Sequence, residues 1–101
     1  MQSLSAAELR RWISEQKSFL LVDVREAFER DDFHIGGLHL PMSELGQRWH
    51  ELRQDRPIVV YCAKGIRSAI AIQRLEGTAG MPAMYNLEGG MKGWKETPSM
   101  Q

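Results

Sequence analysis

The chain has 101 residues, a length that suits one domain, and its hydrophobic content of 43% is enough for a packed core. Thirteen basic and thirteen acidic residues balance to a formal net charge of zero, which argues against the basic footprint of a nucleic-acid binder. Cys62 is the only cysteine, so no internal disulfide can form, and no apolar run approaches the length of a membrane span.

Met1-Gln2-Ser3-Leu4 lacks the basic and apolar regions of a secretory leader. Together these features suggest a soluble cytoplasmic domain, with a single unit expected over residues 1–101. Ser5 and Glu8 form an S-x-x-E capping box, and Leu9, Trp12 and Ile13 follow at helical spacing, so a first amphipathic helix is expected with Trp12 in the core. Phe19 to Val24 is a continuous apolar run ending on charge, the pattern of a strand covered on both faces. A short polar helix is expected over 27–31, and a short strand over 38–40, between Gly36-Gly37 and Pro41. Ser43 reads as the cap of a helix carrying Leu45, Trp49 and Leu52. Ile58-Val59-Val60-Tyr61 is the clearest buried strand. A helix over 68–76, closed by Gly77, is apolar on most of its circumference and is expected to be covered on two sides. Met84 to Leu87 makes a last strand before Gly89-Gly90 and a turn carrying Trp94, and residues 95–101 read as a frayed tail. Strands alternating with helices imply an α/β fold: a small parallel sheet with helices on both faces.

Open parallel sheets place working groups beyond the carboxyl ends of their strands, which is where Cys62 falls. The segment Cys62-Ala63-Lys64-Gly65-Ile66-Arg67 then leads to Ser68 at the expected helix start. Free N–H groups, the helix dipole, Lys64 and Arg67 are expected to converge on the sulfur and depress its ionisation below the free-cysteine value of about 8.5. Gly65 suits positive φ inside the loop. A lone cysteine is more often a small inert hydrophobe, but an inert buried site would not be flanked by two cations.

Four ordered segments resemble those of the rhodanese family of sulfurtransferases. They are Leu21-Val22-Asp23-Val24-Arg25-Glu26, His34-Ile35-Gly36-Gly37-Leu38 through Pro41, Val60-Tyr61-Cys62-Ala63-Lys64-Gly65-Ile66-Arg67-Ser68, and Leu87-Glu88-Gly89-Gly90-Met91 with Trp94. Gly36 stands where the family often has proline, and Thr78 to Pro82 replaces a more usual turn. The resemblance implies a rhodanese-like domain with Cys62 as nucleophile and residues 63–68 binding the donor. It implies thiosulfate-type sulfur transfer through a Cys62 persulfide. The expected partners are a small anionic sulfur donor and an external cyanide, thiol or sulfur-carrier protein acceptor. No nucleic acid, membrane, cofactor or metal is expected, and nothing demands more than a monomer.

Three other readings compete. Related phosphatases carry one more residue between cysteine and arginine than the Ala63-Lys64-Gly65-Ile66 found here, and the shorter loop suits a sulfur atom better than a phosphate. A binding module often lacks the cysteine that this chain keeps. A relay domain would pass sulfur to a protein partner. Asp23 and Arg25 are expected to form a supporting ion pair. His34, His39 and His50 lack the close spacing of a metal site and read as structural.

Overall fold

Ile58-Val59-Val60-Tyr61 carries β-branched and aromatic side chains outward on both faces, which requires cover on both sides. The computed structural model, which describes residues 1–97, places this strand at the middle of the sheet with all four residues at most 1% exposed. In chain order the strands are β1 (Gln2–Leu4), β2 (Leu20–Asp23), β3 (Leu38–His39), β4 (Ile58–Tyr61) and β5 (Met84–Leu87). The helices are α1 (Ala6–Ser14), α2 (Ala27–Asp32), α3 (Leu45–Arg48), α4 (Ile66–Leu75) and α5 (Gly90–Glu96), with 3-10 turns on either side of α3. The sheet runs β1-β5-β4-β2-β3, and every pairing is parallel.

Alternation along β4 divides the core. Ile58, Val60 and Cys62 face a layer formed by Leu45, Leu52, Ala71, Ile72 and Leu75 from α3, its flanking turn and α4. Val59 and Tyr61 face Leu9 and Met91 from α1 and α5. The expected α/β architecture, with helices on both faces of a small parallel sheet, is the one found.

The Ser5–Glu8 capping box is present in both directions, at 3.0 and 3.1 Å. Trp12 packs edge-on against Phe19 and Tyr85, whereas Ile13 is exposed. Four local expectations need correction. Gln2–Leu4 forms an edge strand that its sequence does not announce, because three residues carry no periodicity and the pairing partner is β5 at the far end of the chain. Ser43 does not cap a helix: the turn begins one step earlier, where extended Pro41 accepts from the Glu44 N–H at 2.8 Å. Helix α4 begins at Ile66 rather than Ser68, and it is covered on one side only. Its Ser68, Ala71, Ile72 and Leu75 are buried, while Ile66 and Ile70 face outward. Order also persists to Thr97, since Arg10 donates to the Trp94 and Thr97 carbonyls and its guanidinium lies 3.8 Å from the Trp94 ring centre. The rest of the expected frayed tail lies outside the described residues.

Candidate active site

After β2 the chain turns toward β3, and after β4 it turns the opposite way toward β5. A crevice opens at such a reversal, beyond the carboxyl ends of the two strands. Here it is a groove of about 760 Å³. Arg25, Phe28, Glu29 and Asp32 line it from the β2 side, Ala63 and Lys64 from the β4 side, and Met91, Lys92, Lys95 and Glu96 from α5.

Cys62 directly follows β4, next to the groove residues Ala63 and Lys64, and is 1% exposed. Gly65 takes φ +98°, a conformation that side chains resist, and so turns the chain directly into α4. The tight turn aims the first N–H groups of α4 back at the sulfur. Sγ accepts from the Gly65 N–H at 3.1 Å and the Ser68 N–H at 3.4 Å, with Ser68 Oγ at 3.3 Å. Burial pushes the thiol's pKa up, but the Ser68 hydroxyl and the N–H groups of Ser68, Gly65 and Lys64 outweigh it, so the net shift is downward.

Helix α5 clamps the other side of the loop. Its Met91 and Lys92 N–H groups donate to the Cys62 and Ala63 carbonyls, both at 2.9 Å. The approach is so close that a Cβ at Gly90 would overlap the Cys62 carbonyl. The backbone of Gly90 therefore lies directly against the loop.

The expected pair of cations does not close on the sulfur. Arg67 turns away into a bidentate bridge with Glu29 of α2, both contacts at 2.7 Å, and this bridge holds the Glu29 carboxyl down at about 2. Arg67 still feels the sulfur's charge, but Glu29 dominates its surroundings. Lys64 stands exposed on the groove wall. Ile66 is 68% exposed at the rim. The polar groups in direct contact with the sulfur are therefore peptide N–H groups and one hydroxyl.

Asp23 and Arg25 do form the expected supporting pair. Arg25 binds both Asp23 oxygens at 2.9 and 3.0 Å, donates to the Phe33 carbonyl at 2.7 Å, and lies below the Tyr61 ring. Arg30 adds a third contact to Asp23 at 3.2 Å. His39 Nε2 lies 2.7 Å from the Arg25 carbonyl, and His34 accepts from the Gly36 N–H at 2.9 Å, both structural uses.

Two site residues escaped sequence reasoning. Glu29 stood only within the short polar helix expected over 27–31; its carboxylate also accepts from the Glu26 N–H at 3.1 Å. Asn86 of β5 gave no signal at all. It accepts from Ser68 Oγ at 2.5 Å and donates to the Gly65 carbonyl at 3.1 Å.

A parallel sheet whose central strand runs into a cysteine ringed by N–H donors defines the class of protein. The rhodanese-like domain model matches residues 5–97, and the chain belongs to that family. It is 31% identical to a thiosulfate sulfurtransferase, GlpE, of Coxiella burnetii, over 88% of this chain and 84% of that protein. It is 36% identical to a probable adenylyltransferase/sulfurtransferase, MoeZ, of Mycobacterium tuberculosis, over 91% of this chain but only 24% of that protein. Among solved structures, a rhodanese-related protein of Thermoplasma volcanium superposes with a TM-score of 0.81 at 35% identity, covering 95% of this chain and 92% of that one.

Proposed function

We propose that this chain is a sulfurtransferase in which Cys62 accepts a sulfane sulfur from a small anionic donor such as thiosulfate and passes it to an external acceptor. The observation that carries the reading is the sulfur's setting: two N–H donors and the Ser68 hydroxyl within 3.4 Å, next to a groove whose wall bears Lys64. Sulfurtransferase names among the relatives support it.

In the first half-reaction the Cys62 thiolate attacks the outer sulfur of thiosulfate. A new S–S bond forms, the donor's own S–S bond breaks, and sulfite leaves with the electron pair. Lys64 meets the departing anion at the groove wall, and the cradle N–H groups hold the terminal sulfur of the persulfide. In the second half, cyanide or a thiolate attacks that terminal sulfur and the Cys62 thiolate departs. A residue only 1% exposed favours a donor that reaches in with a single atom, as thiosulfate does and an aryl phosphate does not.

The acceptor comes from outside, because the chain has no second cysteine. A protein acceptor, as in a sulfur relay, is the second reading, favoured by the match to a quarter of MoeZ, a protein whose name joins adenylyl and sulfur transfer. A reducing compartment such as the cytoplasm suits a thiol that must return to the reduced state each cycle. The test is thiocyanate formation from thiosulfate and cyanide by the wild type and Cys62→Ser. Activity in the wild type alone supports the proposal. Equal rates in both, or turnover of aryl phosphates without sulfur transfer, defeats it.

A further inference from the structure

The hydrogen bonds around Ser68 contain a constraint that the proposed chemistry does not use. The Gly65 carbonyl can only accept, so the Asn86 amide must present Nδ2 to it, at 3.1 Å. That fixes Asn86 Oδ1 toward Ser68, at 2.5 Å from Oγ. A carbonyl oxygen cannot donate, so the single proton of the Ser68 hydroxyl lies on the Asn86 side. Ser68 is fully buried, and no other side chain among the described residues bonds its hydroxyl apart from Cys62 and Asn86. Toward Cys62 Sγ, 3.3 Å away, Ser68 therefore turns a lone pair, which suits a thiol that donates and not an anion that needs donors.

We propose that Asn86 is a positioning residue that controls the Cys62 nucleophile through Ser68, holding the hydroxyl proton while sulfur is a neutral thiol and yielding it when sulfur becomes anionic. On ionisation the thiol proton leaves to solvent, the Ser68 O–H rotates from Asn86 Oδ1 to Sγ, and Asn86 keeps its bond to Gly65. The persulfide anion draws on the same rotated proton. Asn86 thus favours the resting thiol, while Ser68 favours the anion. The charged groups around the loop are Lys64 itself, Arg67 of α4 with its partner Glu29 of α2, Arg25 with Asp23 at the end of β2, Asp32 of α2, and Lys92, Lys95 and Glu96 of α5. None of these hydrogen-bonds Ser68 or the Asn86 side chain among the described residues.

The inference rests on Cys62 as the nucleophile, but ionisation can be read with no sulfur donor present, so it stands or falls apart from sulfur transfer. The experiment is thiolate absorbance against pH for the wild type, Ser68→Ala, Asn86→Ala and the double variant, each first shown to be folded by near-ultraviolet circular dichroism. Ser68→Ala should lower the Cys62 ionisation constant roughly tenfold, the loss of one donor to a charged group. Asn86→Ala should raise it roughly fivefold, since no acceptor then competes for the hydroxyl proton. In the Ser68→Ala background the Asn86 substitution should change nothing, because the effect is relayed by the hydroxyl. A fall, no change, or a rise that survives in the double variant overturns the proposal. If Asn86→Ala does not fold, Asn86→Leu decides: it fills similar space without an acceptor, so the constant must rise, and a fall or no change overturns the assignment.

Discussion

The cradle around Cys62 and the rim above it are built from opposite materials. Within the cradle the sulfur accepts from peptide N–H groups at 3.1 and 3.4 Å and meets the Ser68 hydroxyl at 3.3 Å, and none of these carries a formal charge. Around the rim stand full charges, yet most are already matched: Arg67 with Glu29, Arg25 with Asp23, and Lys92 with Glu96 at 2.9 Å. A chain of zero net charge can therefore stabilise an anion without an excess of cations, by aiming fixed dipoles that cost no reorganisation. Under the proposed function this is a division of labour: the cradle would govern the state of the sulfur, and the rim which donor arrives.

The sharpest way to break that comparison is at the cradle's backbone. Gly90→Ala forces a Cβ into the Cys62 carbonyl at positive φ, so it should cost about 1–3 kcal/mol in urea unfolding and remove most sulfur transfer. A variant of full activity would mean that the α5 clamp does not hold the loop. Next comes Arg67→Ala, which leaves the Glu29 carboxylate unmatched in front of the site. We expect kcat/KM for thiosulfate to fall about tenfold, with a smaller loss for a neutral persulfide donor. Lys64→Ala should act more gently, raising KM for thiosulfate roughly three- to fivefold while the Cys62 ionisation midpoint stays in place. Movement of that midpoint would erase the distinction between rim and cradle.

Smallest is Glu29→Gln, expected to cost about 1 kcal/mol, because the Arg67 end of the bridge is 36% exposed and partly screened. The Glu29 pKa is depressed in the folded protein, from 4.5 to about 2, so its contribution is present above pH 4.5 and fades as pH falls toward 2. Wild-type stability minus that of Glu29→Gln should accordingly shrink across this window in acid titration of urea midpoints.

Sequence carried the central strand and its loop because both are local. A four-residue apolar run that needs cover on both faces can be read without its neighbours, and so can a glycine demanding positive φ. The start of α4 was legible in Gly65, whose φ makes it the helix cap, although the hydroxyl of Ser68 is the more conspicuous signal. What stayed hidden joins distant segments. Asn86 meets Ser68 from 18 residues away, Glu29 meets Arg67 from 38, and β1 exists only because β5 returns beside it. The expectation that Lys64 and Arg67 converge on the sulfur failed for Arg67 for the same reason, since its partner is on another helix, while Lys64 points to solvent.

The most direct test of Cys62 as a sulfur carrier is the intact mass of the protein after exposure to thiosulfate without acceptor. The account predicts a gain of one sulfur atom, mapped to Cys62, released by cyanide or reductant and absent in Cys62→Ser. An unchanged wild-type mass, or an equal gain in the serine variant, would contradict it.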